Sequence, residues 1–355
     1  MRKSGNENIS PEIAHNPAEK GPHHMNQQTS SSKIQSIEML RGIAAFLVAW
    51  YHFTQGNHQF LSDGWLKSSG VWGWLGVEMF FVISGFVIPF ALYKGQFIFS
   101  TDWYRFLLKR ITRIDPPYLV SIGLVAGLWY LSALTPGFQG LAPDISWYQV
   151  AVHLGYLTDF LGMNWLQPVY WSLAIEFQYY FLIMLVIPLL IHQNLTIRRM
   201  AILVLILIPV IGFSKILVFY WLALFGIGIT GFLFYTGLLN RVEFSVFLSL
   251  SSLICAWRIG IPETIAGLLT LWLIFLLKNV SIRPLLFMGT ISYSLYLVHV
   301  PVGGRIINLF TRLDDSLWIH LAGLLAASAV SILFSWMFYH LAEKPSIRLA
   351  SRITY

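Results

Sequence analysis

Continuous apolar runs, each close to the ~20 residues that a helix needs to cross a bilayer, constrain this chain more than any other feature. Ten of them are legible, at approximately 37–55, 71–93, 116–134, 170–192, 199–214, 216–236, 242–257, 262–278, 284–309 and 317–341. Backbone inside lipid must satisfy its own N–H and C=O groups, so such a run becomes a helix or a strand of a closed barrel. The alternation of polar and apolar residues that marks a barrel strand is missing. The predicted fold is therefore all-α, a polytopic integral membrane protein with about ten transmembrane helices. The fifth and seventh runs are short, as tilted or partial spans would be. Composition agrees, since 56% of the 355 residues are hydrophobic and only 11% are charged. Those proportions exclude a soluble globular enzyme, a disordered chain and a fibrous protein.

Lys and Arg fix the expected orientation. With the N-terminus inside, the inner side collects about 18 of the 23 basic residues and the outer side 5. Both termini are then cytoplasmic, and the expected location is the cytoplasmic (inner) membrane. The net charge of +7 is explained by this asymmetry and does not point to nucleic acid. Residues 1–36 read as a disordered polar cytoplasmic tail, with no apolar stretch and cleavage site of a signal peptide. Residues 37–345 form the transmembrane domain, and 346–355 a short cytoplasmic tail. The single cysteine, Cys255, excludes an internal disulfide and a multi-thiolate metal site. His23-His24 is a weak metal-like pair in a solvated tail, so no metal is expected.

The polar residues inside the runs carry the chemistry, because ionisable groups there are costly. Arg41 and His52 are eleven residues apart, which brings them within about 20° of one helical face and about 16 Å apart along it. Both are expected to face one interior cleft, Arg41 suited to a phosphate or carboxylate and His52 to proton transfer. Glu78 and Ser84 interrupt the second run. Glu78 can orient an imidazole. Ser84 can bond back to its own helix, and Ser84-Gly85 can permit close helix contact. The nucleophile-elbow pattern Gly-x-Ser-x-Gly is absent. Arg110 and Arg113, three apart in a basic inner loop, can clamp a polyphosphate, and Pro116-Pro117 is expected to re-aim the chain into the third span. Glu176 and Tyr180 share a face, as do Tyr293, Tyr296 and His299. The outer segment of about 135–169 contains no Lys or Arg but carries Asp144, Trp147, His153, Asp159 and Trp165. A short interfacial or re-entrant helix is expected there, over 147–161.

Five motifs occur in a fixed order. They are Arg41-Gly42 with His52, Phe80-Phe81-Val82-Ile83-Ser84-Gly85-Phe86, the Arg110-x-x-Arg113-Ile114-x-Pro116 segment, Trp171-Ser172-Leu173-x-x-Glu176, and Ser292-Tyr293-Ser294-Leu295-Tyr296-Leu297-x-His299-x-Pro301. Glu343-Lys344-Pro345 follows them. Over about 37–345 the chain resembles the acyltransferase-3 family, membrane enzymes that O-acetylate surface polysaccharides and related sugars, in its stand-alone form. The resemblance implies His52 as the essential base beside Arg41, Arg110 and Arg113 at the acyl donor, and Glu176 in activity. Asp115 and Pro117 depart from the apolar or aromatic residues usual there.

Joined to the residue reading, the resemblance implies a membrane-bound O-acyltransferase. Acetyl-CoA, or another acyl-CoA, is the co-substrate, with no bound cofactor. The acceptor is a hydroxyl of a cell-surface carbohydrate or glycolipid. His52 acts either as base or as acyl carrier, Glu78 or Glu176 holds its tautomer or the acceptor, and Ser84, Tyr180, Tyr293 and His299 support. The bilayer and an extracytoplasmic partner protein are the other expected partners. A secondary transporter using the same intramembrane Arg, His and Glu is the competing reading.

Overall fold

The structure is a computed structural model that describes residues 34–135 and 143–354. Most of the expected tail lies outside the described residues, and Gln35 already opens the first helix. Among the described residues the regular structure is helical, with no strand. In chain order the helices are α1 (Gln35–Gln55), α2 (Trp65–Ser68), α3 (Gly76–Lys94), α4 (Phe99–Ala133), α5 (Trp147–Leu154), α6 (Tyr170–Leu190) and α7 (Leu195–Leu207). They continue with α8 (Val218–Tyr235), α9 (Arg241–Arg258), α10 (Ile261–Leu276), α11 (Arg283–Thr290), α12 (Ser292–Phe310), α13 (Leu317–Phe338) and α14 (Lys344–Ser351).

Each of the ten apolar runs falls on a helix, but they are not equally suited to a bilayer. Five segments are long and apolar enough to cross it: Trp65–Lys94, Phe99–Ala133, Tyr170–Leu190, Val218–Tyr235 and Leu317–Ser351. A sixth is added if α11 and α12, bent by 71° at their junction, count as one span. The shortfall against ten has two physical sources. α7 and α10 are short, at 13 and 16 residues. α1 and α9 are diluted by charge, with Glu38 and Arg41 in the first and Arg241, Glu243 and Arg258 in the second.

Two local expectations are corrected. The basic segment before the third span is helix from Phe99 onward, and Pro116-Pro117 does not turn the chain. Proline removes an N–H and frees the carbonyl four residues earlier, but a helix packed among others tolerates this. α4 thus runs unbroken for 35 residues, about 52 Å at ~1.5 Å per residue. The helix expected over 147–161 ends at Leu154. The irregular chain after it is still buried at Thr158 and Gln167. His153 closes it by donating from Nδ1 to Gln149 O (2.8 Å) and accepting at Nε2 from Leu166 N–H (3.0 Å). Burial pushes the His153 pKa below its ordinary 6.5, and the bond to Gln149 only partly opposes that.

α3 is the centre of the packing, against α1, α6, α8 and α10. Its crossing with α8 is close because small residues meet backbone there. A Cβ on Gly85 would strike Phe225 O, and one on Gly228 would strike Val82 O. α12 packs against α1, α4 and α13. The last span ends in a π-helical turn, Tyr339–Glu343, and α14 docks on α4.

Candidate active site

Two cavities flank α12. The first, about 130 Å³, lies between α1, α3, α4, α6, α12 and the π-turn. Three guanidiniums reach its wall, Arg41 from α1 and Arg110 and Arg113 from α4. The i,i+3 spacing puts the α4 pair on one face, as expected. Arg110 lies over the rings of Phe106 and Tyr180, at 5.3 and 5.4 Å, and its buried Nε has no partner. Two carboxylates share the wall, Glu176 and Glu343. Ser84 Oγ donates to Glu176 Oε1 (3.0 Å), so the serine bonds across to α6 and not back to its own helix. Tyr180, one turn beyond Glu176, interacts with the same carboxylate. Glu343 is nearly inaccessible and accepts from Ser294 Oγ (2.6 Å) and Ser294 N–H (3.2 Å). It sits in the field of Arg41 and Arg113. Among the described residues no ion pair closes on any of the three arginines. With three cations against two carboxylates, the cavity keeps an excess positive charge and unspent N–H donors.

The second cavity, about 450 Å³, opens at the C-terminal end of α1. His52 lines it, with Asn57, Trp129, Ser132, Arg305 and Asn308 around it. The His52 ring nitrogens accept or donate no hydrogen bond among the described residues, so the imidazole is open to the cavity. Its neighbours are the rings of Tyr51 (5.2 Å) and His299 (5.3 Å).

Arg41 and His52 therefore do not share one cleft. Their common helical face is real, but the separation along α1 is bridged by side chains of α12. Tyr296 Oη lies 2.5 Å from Ser172 Oγ and donates to Val169 O (3.1 Å). His299, wholly buried, donates from Nδ1 to Leu295 O (2.8 Å), which leaves Nε2 as an unpartnered acceptor. Tyr296 and His299 stand 6.1 Å apart, ring to ring, with Tyr296 on the first cavity and His299 against His52. Tyr293 also lines the first cavity and donates to Ile114 O (2.9 Å).

Glu78 lies apart from both cavities. It is buried in the first turn of α3, in the field of Glu263 of α10, with one carboxylate oxygen unpartnered. No hydrogen bond among the described residues joins Glu78 or Glu176 to His52, so neither holds its tautomer directly. Two residues escaped the sequence reading as site members. Glu343 belongs to the segment Glu343-Lys344-Pro345, whose acid follows an apolar span and reads as an interfacial charge; the π-turn is what carries it inward. Arg305 reads as an outer-side topology marker, and only the helix packing places it beside His52.

Helices of this kind around partly buried guanidiniums and an open imidazole define a multi-helix membrane protein with a polar interior. The model of the acyltransferase domain, Acyl_transf_3, matches residues 34–340, and the chain belongs to that family. It is 31% identical over 176 residues to a protein of Komagataeibacter xylinus named a membrane-bound transacylase, BcsY, covering 45% of this chain and 40% of that protein. It is 30% identical over 173 residues to O-acetyltransferase OatA of Staphylococcus aureus (strain NCTC 8325 / PS 47), covering 45% of this chain and 26% of that protein. The chain thus aligns with less than half of each relative's length. No solved structure matches it.

Proposed function

We propose that the chain is a membrane-bound O-acyltransferase that moves an acetyl or other short acyl group from acyl-CoA to a carbohydrate hydroxyl. The observation that carries this reading is the excess of positive charge in the first cavity. Phosphates suit it, because guanidiniums bind them through paired, charge-assisted hydrogen bonds. Arg110 and Arg113 hold the donor's phosphates, and Arg41 neutralises a phosphate or the thioester oxyanion. The charge asymmetry of the sequence supports a cytoplasmic position for this cavity, where acyl-CoA is found, in a fold of ten spans with both termini inside. Glu343 and Glu176 hold the guanidiniums and Ser84 in register.

His52 acts from the second cavity. As general base it takes the proton of the acceptor hydroxyl, whose oxygen attacks the thioester carbonyl, and CoA leaves as the thiol. As carrier its ring nitrogen attacks the thioester carbonyl and CoA leaves as the thiol; the acceptor hydroxyl oxygen then attacks the acyl-imidazole, and the imidazole leaves with the hydroxyl proton. In either case the acyl group passes Tyr296 and Ser172. The relatives' names support transfer of an acetyl or acyl group.

Release of free CoA from acetyl-CoA by the purified full chain in nanodiscs tests this proposal. Release that is lost in His52→Ala, in protein that still inserts and folds, is the expected result. No release and no acetyl-CoA binding by folded wild-type protein would overturn it and favour a secondary transporter.

A further inference from the structure

Among the described residues Arg305 is the one charged side chain on the wall of the second cavity, which His52 also lines, and no carboxylate is there. Two interactions pin the guanidinium in place. Nη1 donates to Pro301 O (2.7 Å), folding the side chain back on α12, and Nε donates to Ser132 Oγ of α4 (3.3 Å). Arginine has five N–H donors, so three are left for the cavity. A cation bonded back to its own helix in this way is not extended toward the membrane surface as a snorkelling anchor is. Space is available beside it, since a Cβ on Gly304 would meet nothing within 4 Å. Asn308 adds a further donor pair, because its Oδ1 is occupied by Asn57 Nδ2 (2.8 Å) while its own amide hydrogens are not engaged. His52 and Arg305 stand on different walls, one on α1 and the other tied to α4.

We propose that the second cavity takes an anionic acceptor, a sugar whose carboxylate or phosphate seats on Arg305 while a hydroxyl faces His52. The inference rests on the acyl-transfer reading for the role of that hydroxyl, but the anion site itself does not. Arg305 is then a specificity-determining residue. It binds a group away from the reacting oxygen, so its loss raises the acceptor concentration required and leaves the donor side untouched.

The test is saturation-transfer NMR on the full chain in nanodiscs of phosphatidylcholine alone, which supply no anionic lipid. The probes are methyl glucuronide, glucose 1-phosphate and, as the neutral control, methyl glucoside. Binding of the two anions, at least roughly tenfold weaker in Arg305→Gln and partly restored in Arg305→Lys, is expected. The neutral glucoside should be indifferent to both substitutions. The proposal fails if the glucoside binds as well as the anions, if Arg305→Gln leaves anion binding unchanged, or if neither anion binds. Preference for only one anion separates a uronate-type from a phosphate-bearing acceptor. CoA release from acetyl-CoA by the same samples separates the two claims. Anion binding without thioester use leaves Arg305 standing and removes the acyl-transfer reading; thioester use without anion preference does the reverse.

Discussion

A partly buried arginine with no ion pair to neutralise it costs free energy, and among the described residues three such side chains line one small cavity. On the proposed reading a bound polyanion offsets that cost, so each guanidinium should carry a separable share of donor affinity. Arg113→Lys keeps the charge but loses the planar fork, and acetyl-CoA binding should weaken about tenfold. Arg113→Gln should weaken it further, by about 1.5–3 kcal/mol for the lost charged hydrogen bonds. Titration with acetyl-CoA measures both. Glu343→Gln keeps an oxygen that can accept from Ser294 but removes the charge of one of the two carboxylates opposing the arginines. Donor binding in that variant should survive or tighten while turnover falls, which initial-rate kinetics would separate. At this scale the sequence was legible where a residue was anomalous. Arg41, His52, Glu176 and the Arg110–Arg113 pair stand out because lipid-facing helices exclude them. Glu343 and Arg305 were not legible as site members, because a charge near the end of an apolar run has an ordinary explanation in topology. Glu78 shows the opposite error. It is as anomalous as the others, but its helical turn faces α10 and not the imidazole.

Helices set how far these side chains can reach. The α3–α8 crossing holds Ser84 against Glu176 by letting Gly85 and Gly228 lie on opposing backbone. Gly85→Leu should force the pair apart and destabilise the fold by about 1–3 kcal/mol, read as a lowered unfolding temperature in detergent. Sequence indicated this contact as one of two options for Ser84-Gly85, and both residues turn out to be spent on helix–helix contact, the serine through its hydroxyl. The Pro116-Pro117 pair misled, because proline's local preference to end a helix is overridden by packing on both sides of α4. The segment after α5 has its own pH signature. His153 is held neutral with its pKa below 6.5, so the unfolded segment takes up a proton first as pH falls. The stability it contributes is present above about pH 6.5 and is lost as pH drops through the lower, folded value. Amide protection over residues 146–169, taken relative to the intrinsic exchange rate at each pH, should therefore fall below pH 6.5, and His153→Gln should flatten that dependence.

Across the whole molecule, one polar interior is divided in two by α12, with arginines on one side of Tyr296 and an open histidine on the other. The ten apolar runs foretold ten helical segments, because hydrophobic length is the strongest signal a membrane chain emits. Their partition into two cavities was not legible, since it depends on the 71° bend between α11 and α12 and on which side chains of α12 fill the interval. With ten spans, reporter cysteines at positions 20 and 352 should both react with an impermeant maleimide only from the cytoplasmic face. The buried native Cys255 should stay silent. An odd number of spans would put the two reporters on opposite faces.

The division of labour between the cavities is the central claim, and acetyl-CoA binding measured beside turnover in two variants tests it most directly. Arg113→Gln should lose both binding and CoA release, whereas His52→Ala should bind acetyl-CoA as the wild type does and release no CoA. Loss of acetyl-CoA binding in a folded His52→Ala protein, or full binding in Arg113→Gln, would contradict the assignment of the donor to the first cavity and the chemistry to the second.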